Sequence, residues 1–263
     1  MPRFSANLGF LWTDRPLVDA IAAAGAAGFE AVELQWPHDV DPALVHAAVA
    51  AEGVKLLAIN TRPGDTAKGE FGMGCDPGRA AAFRASVEEA ARWNAAAGGT
   101  FIHVLAGMVA PGQLERARDT FAENLAVAAA IAAAHGLVVL IEPMNPRDRP
   151  GYFYSRIEDA AEIIARVGRP NIRIMADLYH LAISEGDVTR KLERHVDLIG
   201  HVQIAAVPSR REPDEGELAY PHLFQTLDRL RYPGFVGAEY RPRGRVEDGL
   251  GWMTAARTAG SAA

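Results

Sequence analysis

Apolar and polar positions alternate along this chain on two length scales. Short apolar runs, beginning near Phe4, Ala31, Leu56, Thr100, Val138, Ile172, Leu198 and Phe235, each read as a strand. Between them lie alanine-rich stretches with helical spacing, which predict helices at residues 14–27, 42–52, 79–97, 113–135, 156–167, 187–196, 220–231 and 246–258. Strands alternating with helices are the pattern of repeated βα units on a parallel sheet. Eight units could close into a barrel or form a large open doubly wound sheet, and a chain of 263 residues favours an α/β fold of the (β/α)8 TIM barrel type. Asp41-Pro42 and Asp14-Arg15-Pro16 look like helix starts, a capping carboxylate beside a proline. His135-Gly136 looks like a stop, because glycine closes a helix in the left-handed conformation at little cost.

Composition narrows this picture without changing it. No segment rich in Pro, Gly or Ser separates two regimes, so residues 1–263 are expected to form one domain, with 49% hydrophobic residues to fill its core. The net charge is -6 and the basic residues are scattered, which argues against a nucleic-acid partner and leaves small polar or anionic molecules. No apolar run approaches the ~20 residues that cross a bilayer. Met1 to Asn7 carries no apolar signal core, so a cytoplasmic protein without a membrane partner is expected. Cys75, alone in the chain, excludes an intrachain disulfide and suits a reducing compartment. Nothing beside it provides an assured base, so no nucleophilic role is expected. The helical faces leave room for assembly into a homo-oligomer.

The chemistry gathers at strand ends. Val138-Val-Leu-Ile-Glu142, Ile172-Arg-Ile-Met-Ala-Asp177 and Phe235-Val-Gly-Ala-Glu239 each finish an apolar run with a carboxylate, and Leu198-Ile-Gly-His-Val-Gln203 finishes with an amide. Taken singly, each could be an ion-pair partner or a helix cap. Together they come from the last four strands of the barrel, which are neighbours, so their oxygens can converge. Three clustered carboxylates repel unless a cation compensates them. An all-oxygen set suits Mg²⁺ or Mn²⁺, whereas structural Zn²⁺ prefers Cys and His. His180, three residues past Asp177, is placed to donate to a substrate oxygen. His201 shares its strand face with Gln203 and is either a deeper group of the site or a satisfied core histidine. The glycine-rich stretch from Thr61 to Gly78 follows the third strand and is expected to be a lid or binding loop, or else plain surface. It lacks the Lys-Ser/Thr pair of a phosphate loop.

These segments also resemble a known family. Arg3-Phe-Ser-Ala-Asn7, Ile141-Glu142-Pro-Met-Asn145-Pro-Arg-Asp148-Arg-Pro150-Gly151-Tyr152, Asp177-Leu-Tyr179-His180, Gly200-His201-Val-Gln203-Ile-Ala205, Gly216-Glu217 and Gly237-Ala-Glu239-Tyr240 together are similar to hydroxypyruvate isomerase. The related 2-oxo-tetronate isomerases and, more distantly, the ketose epimerases share the pattern. The resemblance implies a TIM barrel in which Glu142 and Glu239 exchange protons with the substrate. It implies a divalent metal on Glu142, Asp177, Gln203 and Glu239, and substrate oxygens held by His180 and Arg210. Ala206-Val207 replaces an Asp-Asn pair of the family pattern, and Thr66 and Phe71 replace Trp and Arg in the loop after strand three. Both departures are expected to border the substrate. A longer sugar or sugar acid, a barrel nuclease and a binding module without turnover are the alternatives.

Overall fold

The computed structural model describes residues 2–261. Nine strands make one parallel sheet: β1 (Arg3–Asn7), β2 (Ala31–Glu33), β3 (Lys55–Leu56), β4 (Ala58–Asn60), β5 (Phe101–His103), β6 (Val138–Ile141), β7 (Ile172–Asp177), β8 (Ile199–Ile204) and β9 (Phe235–Ala238). Hydrogen bonding follows the order β3-β2-β1-β9-β8-β7-β6-β5-β4. The two ends of that list are one predicted strand interrupted at Leu57. Its amide donates to Val32 O at 2.9 Å and its carbonyl accepts from Phe101 N at 2.7 Å, so the third strand touches both neighbours. Leu34 N also donates to Ala58 O at 2.9 Å, which ties β4 back to the second strand. The eight-unit barrel expected from the sequence is therefore the fold, with its third strand in two pieces.

Helices α1 (Leu17–Ala26), α2 (Pro42–Glu52), α3 (Ala80–Ala97), α4 (Leu114–Ala134), α5 (Ile157–Val167), α6 (Leu178–Ser184), α7 (Val188–His195), α8 (Tyr220–Arg229) and α9 (Gly251–Ser261) surround it. Asp41 caps α2 through a bond from Ala43 N, as expected, and Gly136 follows α4 in the left-handed conformation. The other expected cap is absent, because Pro16 occupies the N-cap position of α1 and no side chain caps it. Helix α6 was not anticipated. Asp177 ends β7 and at once caps α6 by accepting from Tyr179 N, so no loop residues announce the helix.

Alternation along the strands builds the barrel in layers. Residues one apart point to opposite faces, and Phe4, Val32, Ile59, Ile102, Val139, Ile174, Val202 and Val236 face outward to pack beneath the helices. The intervening residues face the axis. Ala31, Leu57, Ala58, Leu140, Met175 and Phe235 form an apolar plug across the interior. Two residues further along each strand the inward positions turn polar: Glu33, Glu142, Asp177, Gln203 and Glu239 follow Ala31, Leu140, Met175, His201 and Gly237. A register shift between Ile174 and Met175 sets Asp177 opposite Gln203, which in turn lies opposite Gly237. Among the described residues no helix is long and apolar enough to cross a membrane.

Candidate active site

The carboxyl ends of the strands surround a cavity of about 470 Å³, lined among others by Glu33, His103, Glu142, His180, Gln203, Arg210 and Glu239. Of the strand-end residues predicted from sequence, Glu142, Gln203 and Glu239 line it, and Asp177 is buried close to Glu142 and His180. Glu142 is 4% exposed, Asp177 fully buried, Gln203 2% and Glu239 7%. Burial raises the Glu142 carboxyl well above the ordinary carboxylate range, and the charges of Glu239 and Asp177 push it the same way. Burial likewise lifts Glu239 to about 8, against the pull of Arg210, and Asp177 to about 6. Without a further cation, this site prefers to hold protons.

Arg210 is the cation at hand. Its Nη1 donates to Asp148 Oδ2 at 3.1 Å, and its Nη2 stands 3.6 Å from Asp177 Oδ2 and 3.5 Å from Glu239 Oε1. The guanidinium is held between the rings of Phe10 and Tyr179, 4.9 and 4.8 Å from their centroids. Its backbone takes a left-handed φ of 54°. Backbone bonds from Arg210 N to Ala206 O and from Arg241 N to Arg210 O hold that conformation in place. Arg210 thus stands largely buried beside Asp177 and Glu239, its side chain 15% exposed.

His180 lies in the first turn of α6, not in an open loop. Its Nδ1 accepts the backbone N–H of Asn145 at 3.1 Å. An amide proton cannot move away, so Nδ1 keeps its lone pair engaged and the neutral ring carries its proton on Nε2. Burial holds the imidazole well below its usual range, which keeps it neutral. Nε2 points to Asp177 Oδ2 at 3.6 Å and Glu142 Oε1 at 3.8 Å. Glu142, Asp177 and His180 lie close enough together to hold a metal ion. A ring whose Nε2 bears the proton has no lone pair to give, so the tautomer makes His180 a donor toward the cavity and leaves the ligand role to oxygens.

Two oxygens of the strand-end set, Asp177 Oδ2 and Gln203 Oε1, are unsatisfied among the described residues. Asp177 Oδ1 is taken up by capping α6, and Oδ2 has no hydrogen-bond partner among the described residues. Gln203 Nε2 donates to Glu33 Oε2 at 2.7 Å, and Gln203 Oε1 is also without a partner. Buried polar atoms left unpaired are costly. Two of them beside two further carboxylates form a donor set that fits a hard divalent cation.

Sequence reading missed two members of the site. Glu33 ends β2 just as the other carboxylates end their strands, and the run Ala31-Val-Glu33 is so short that the signal did not register. Its carboxylate accepts Ser5 Oγ at 2.7 Å and stands 2.9 Å from His201 Nε2. Burial alone would raise the Glu33 carboxyl, yet His201, Ser5 and Gln203 hold it below the usual range. His201 is thus a partner of the site, and the core alternative is set aside. His103, the last residue of β5, puts Nε2 3.5 Å from Glu142 Oε2. Burial lowers its imidazole to about 3.

The loop after β4 forms a fixed wall. Gly72 pairs with Ala106 across the cavity rim, where a Cβ would lie 2.6 Å from Leu105 O, and Cys75 N donates to Ala106 O. Phe71 from this loop lines the cavity beneath the Arg149 guanidinium, 4.0 Å from the ring centroid. Of the four departures from the family pattern, Phe71 alone lines the cavity: Thr66 borders a separate groove, and Ala206 and Val207 are buried. Cys75 is buried too, and desolvation pushes its thiol up to about 12, which removes any thiolate chemistry.

Known proteins match this chain along nearly its whole length. The xylose isomerase-like TIM barrel model covers residues 18–256. A 2-oxo-tetronate isomerase of Cupriavidus necator is 47% identical over 96% of this chain and 98% of its own length. A hydroxypyruvate isomerase of Escherichia coli is 37% identical over 96% and 98%. The crystal structure of AP endonuclease, family 2, from Brucella melitensis superposes with a TM-score of 0.94 at 40% identity, covering 97% of this chain and 99% of that one.

Proposed function

Because this chain belongs to the xylose isomerase-like TIM barrel family, we propose that it is an isomerase interconverting hydroxypyruvate and 2-hydroxy-3-oxopropanoate, with Glu142 and Glu239 as its proton-transfer groups. The observation that carries the reading is the pair of buried glutamates facing one cavity, both held toward the protonated form. A group that both takes and returns a proton near neutral pH needs that adjustment. Glu142, Asp177, Gln203 and Glu239 would hold Mg²⁺ or Mn²⁺, and the unpaired Asp177 Oδ2 and Gln203 Oε1 support this. Such an ion, when bound, supplies Lewis acidity that makes the C–H beside the substrate carbonyl easier to break.

The residues then divide the work. One glutamate takes the proton from C3 of hydroxypyruvate, and the other, holding its own proton, delivers it to C2. As C2 becomes tetrahedral its oxygen gains a proton and the C3 hydroxyl loses one, which leaves an aldehyde at C3. His180 Nε2–H steadies the oxygen on which negative charge develops. Arg210 faces the same space and would bind the substrate's oxygens, its carboxylate first. Phe71, Trp36 and Arg149 cover the rim, which limits water at the reacting carbons.

A second reading is a 2-oxo-tetronate isomerase. The cavity of about 470 Å³ leaves room beyond a three-carbon acid, and the Cupriavidus necator relative bears that name. A nuclease draws less support, because the donors here are oxygens and His180 presents a proton instead of a lone pair. Turnover of hydroxypyruvate against four-carbon 2-oxo acids, with Mg²⁺ or Mn²⁺ present, separates the readings. A kcat/KM higher by an order of magnitude for the four-carbon acid would move the assignment to the second.

A further inference from the structure

Glutamine is an ambiguous metal ligand. Its amide can present oxygen or NH₂ to the site, and only the oxygen can bind a cation. In this barrel the ambiguity is removed by one contact, the 2.7 Å bond from Gln203 Nε2 to Glu33 Oε2. Glu33 can only accept, so the NH₂ must point to it and Oε1 must point the other way, where it has no partner. Glu33 is itself fixed, since Ser5 Oγ donates to its other oxygen and His201 Nε2 lies 2.9 Å away. The backbone is shaped to receive it: a Cβ at Gly237 would collide with Glu33 Oε1. Four residues from four strands, Glu33, Ser5, His201 and Gly237, thus set the direction of one amide.

We propose that Glu33 is the positioning residue of the cation site, orienting Gln203 so that its Oε1 is a committed oxygen donor. The proposal rests on the metal reading above, and it concerns a carboxylate whose two oxygens are already engaged, by Ser5 and by Gln203. Supporting partners of metal ligands typically govern affinity by 10–100-fold, and that range is the effect expected here.

The test uses full-length protein stripped with a chelator and titrated with Mn²⁺, free ion being followed by electron paramagnetic resonance. Glu33→Gln, which keeps the shape but allows either end of residue 203 to face the site, should weaken Mn²⁺ binding ~10–100-fold. The exchanged pair Glu33→Gln with Gln203→Glu restores the bond with its polarity reversed: residue 33 donates, and residue 203 again turns an oxygen to the site. It should recover affinity to within about tenfold of wild type, because a carboxylate at 203 turns an oxygen to the site either way. In a Gln203→Ala background, with no amide left to orient, Glu33→Gln should have little further effect on Mn²⁺ binding. Circular dichroism establishes folding, and if the single variant fails to fold, the exchanged pair carries the test alone. A folded Glu33→Gln that binds Mn²⁺ as wild type does, or a folded exchanged pair that does not bind, overturns the assignment. Wild-type protein that binds no Mn²⁺ overturns the metal reading instead, and this one with it.

Discussion

Stripping divalent cations should make the stability of this protein fall as pH rises from 6.5 to 8. Glu239 has an ordinary value of 4.5, which its site raises to about 8. A carboxyl whose folded value is raised binds its proton more tightly in the native state, so its contribution is complete below pH 4.5 and is lost as pH passes through about 8. Buried histidines act in the opposite sense. His38, His103, His180 and His195 are all lowered from 6.5, so they weaken the fold only at pH values low enough to protonate the unfolded chain's imidazoles. Between pH 6.5 and 8 this opposing contribution is at most about 0.4 kcal/mol per histidine, and the raised carboxyls of Glu142 and Glu239 together outweigh it. Integrating one group with a folded value of about 8 across this window gives a loss of about 1–2 kcal/mol, and Glu142, raised as well, adds in the same direction. Urea unfolding of chelated protein at several pH values, followed by circular dichroism, reads this loss. Added Mg²⁺ or Mn²⁺ should abolish it, because an ion held by these oxygens favours their ionised forms. A stability that is level or rising from pH 6.5 to 8 in the metal-free protein would refute the electrostatic account of the site.

Other expectations follow from the same geometry. Glu142→Gln and Glu239→Gln should each lower kcat by ~10²–10⁴-fold or more while the protein stays folded, as steady-state assay and circular dichroism would register. Arg210→Ala should lower kcat/KM for hydroxypyruvate roughly 10–100-fold, as expected for ~1.5–3 kcal/mol from a charged hydrogen bond, and affect a carboxylate-free ketose less. Equal losses on both would show that Arg210 serves the protein's own carboxylates. Gly237→Ala should destabilise by about 1–3 kcal/mol in urea unfolding, since its Cβ meets the Glu33 carboxylate, which has nowhere to move.

Much of this architecture was legible because periodicity is physical. Alternate residues of a strand face opposite ways, so an apolar run ending in a carboxylate already says which side that carboxylate occupies, and Glu142, Asp177, Gln203 and Glu239 were found on that basis. Glu33 escaped because β2 contributes only three residues and its signal merges with the polar Gln35 that follows. Helix α6 escaped because its cap, Asp177, is also the last residue of a strand, and a single side chain serving two elements leaves no turn between them. The break of the third strand at Leu57 depends on pairing with two different neighbours, which no local pattern encodes. The tautomer of His180 is set by the backbone N–H of Asn145, 35 positions away in the chain, and Arg210 reaches the carboxylates only through a left-handed backbone turn. Such contacts between distant segments become visible only once the chain is folded.

In the proposed reaction Glu142 and Glu239 transfer a proton between adjacent carbons of a short hydroxy-oxo acid. Incubating Mg²⁺-loaded protein with hydroxypyruvate in D₂O, followed by proton NMR, tests it most directly. An aldehyde resonance from 2-hydroxy-3-oxopropanoate should emerge and deuterium should enter at carbon, both suppressed in Glu142→Gln and Glu239→Gln. Hydroxypyruvate that persists with its C3 protons unexchanged, in the presence of folded, metal-loaded wild-type protein, would contradict it.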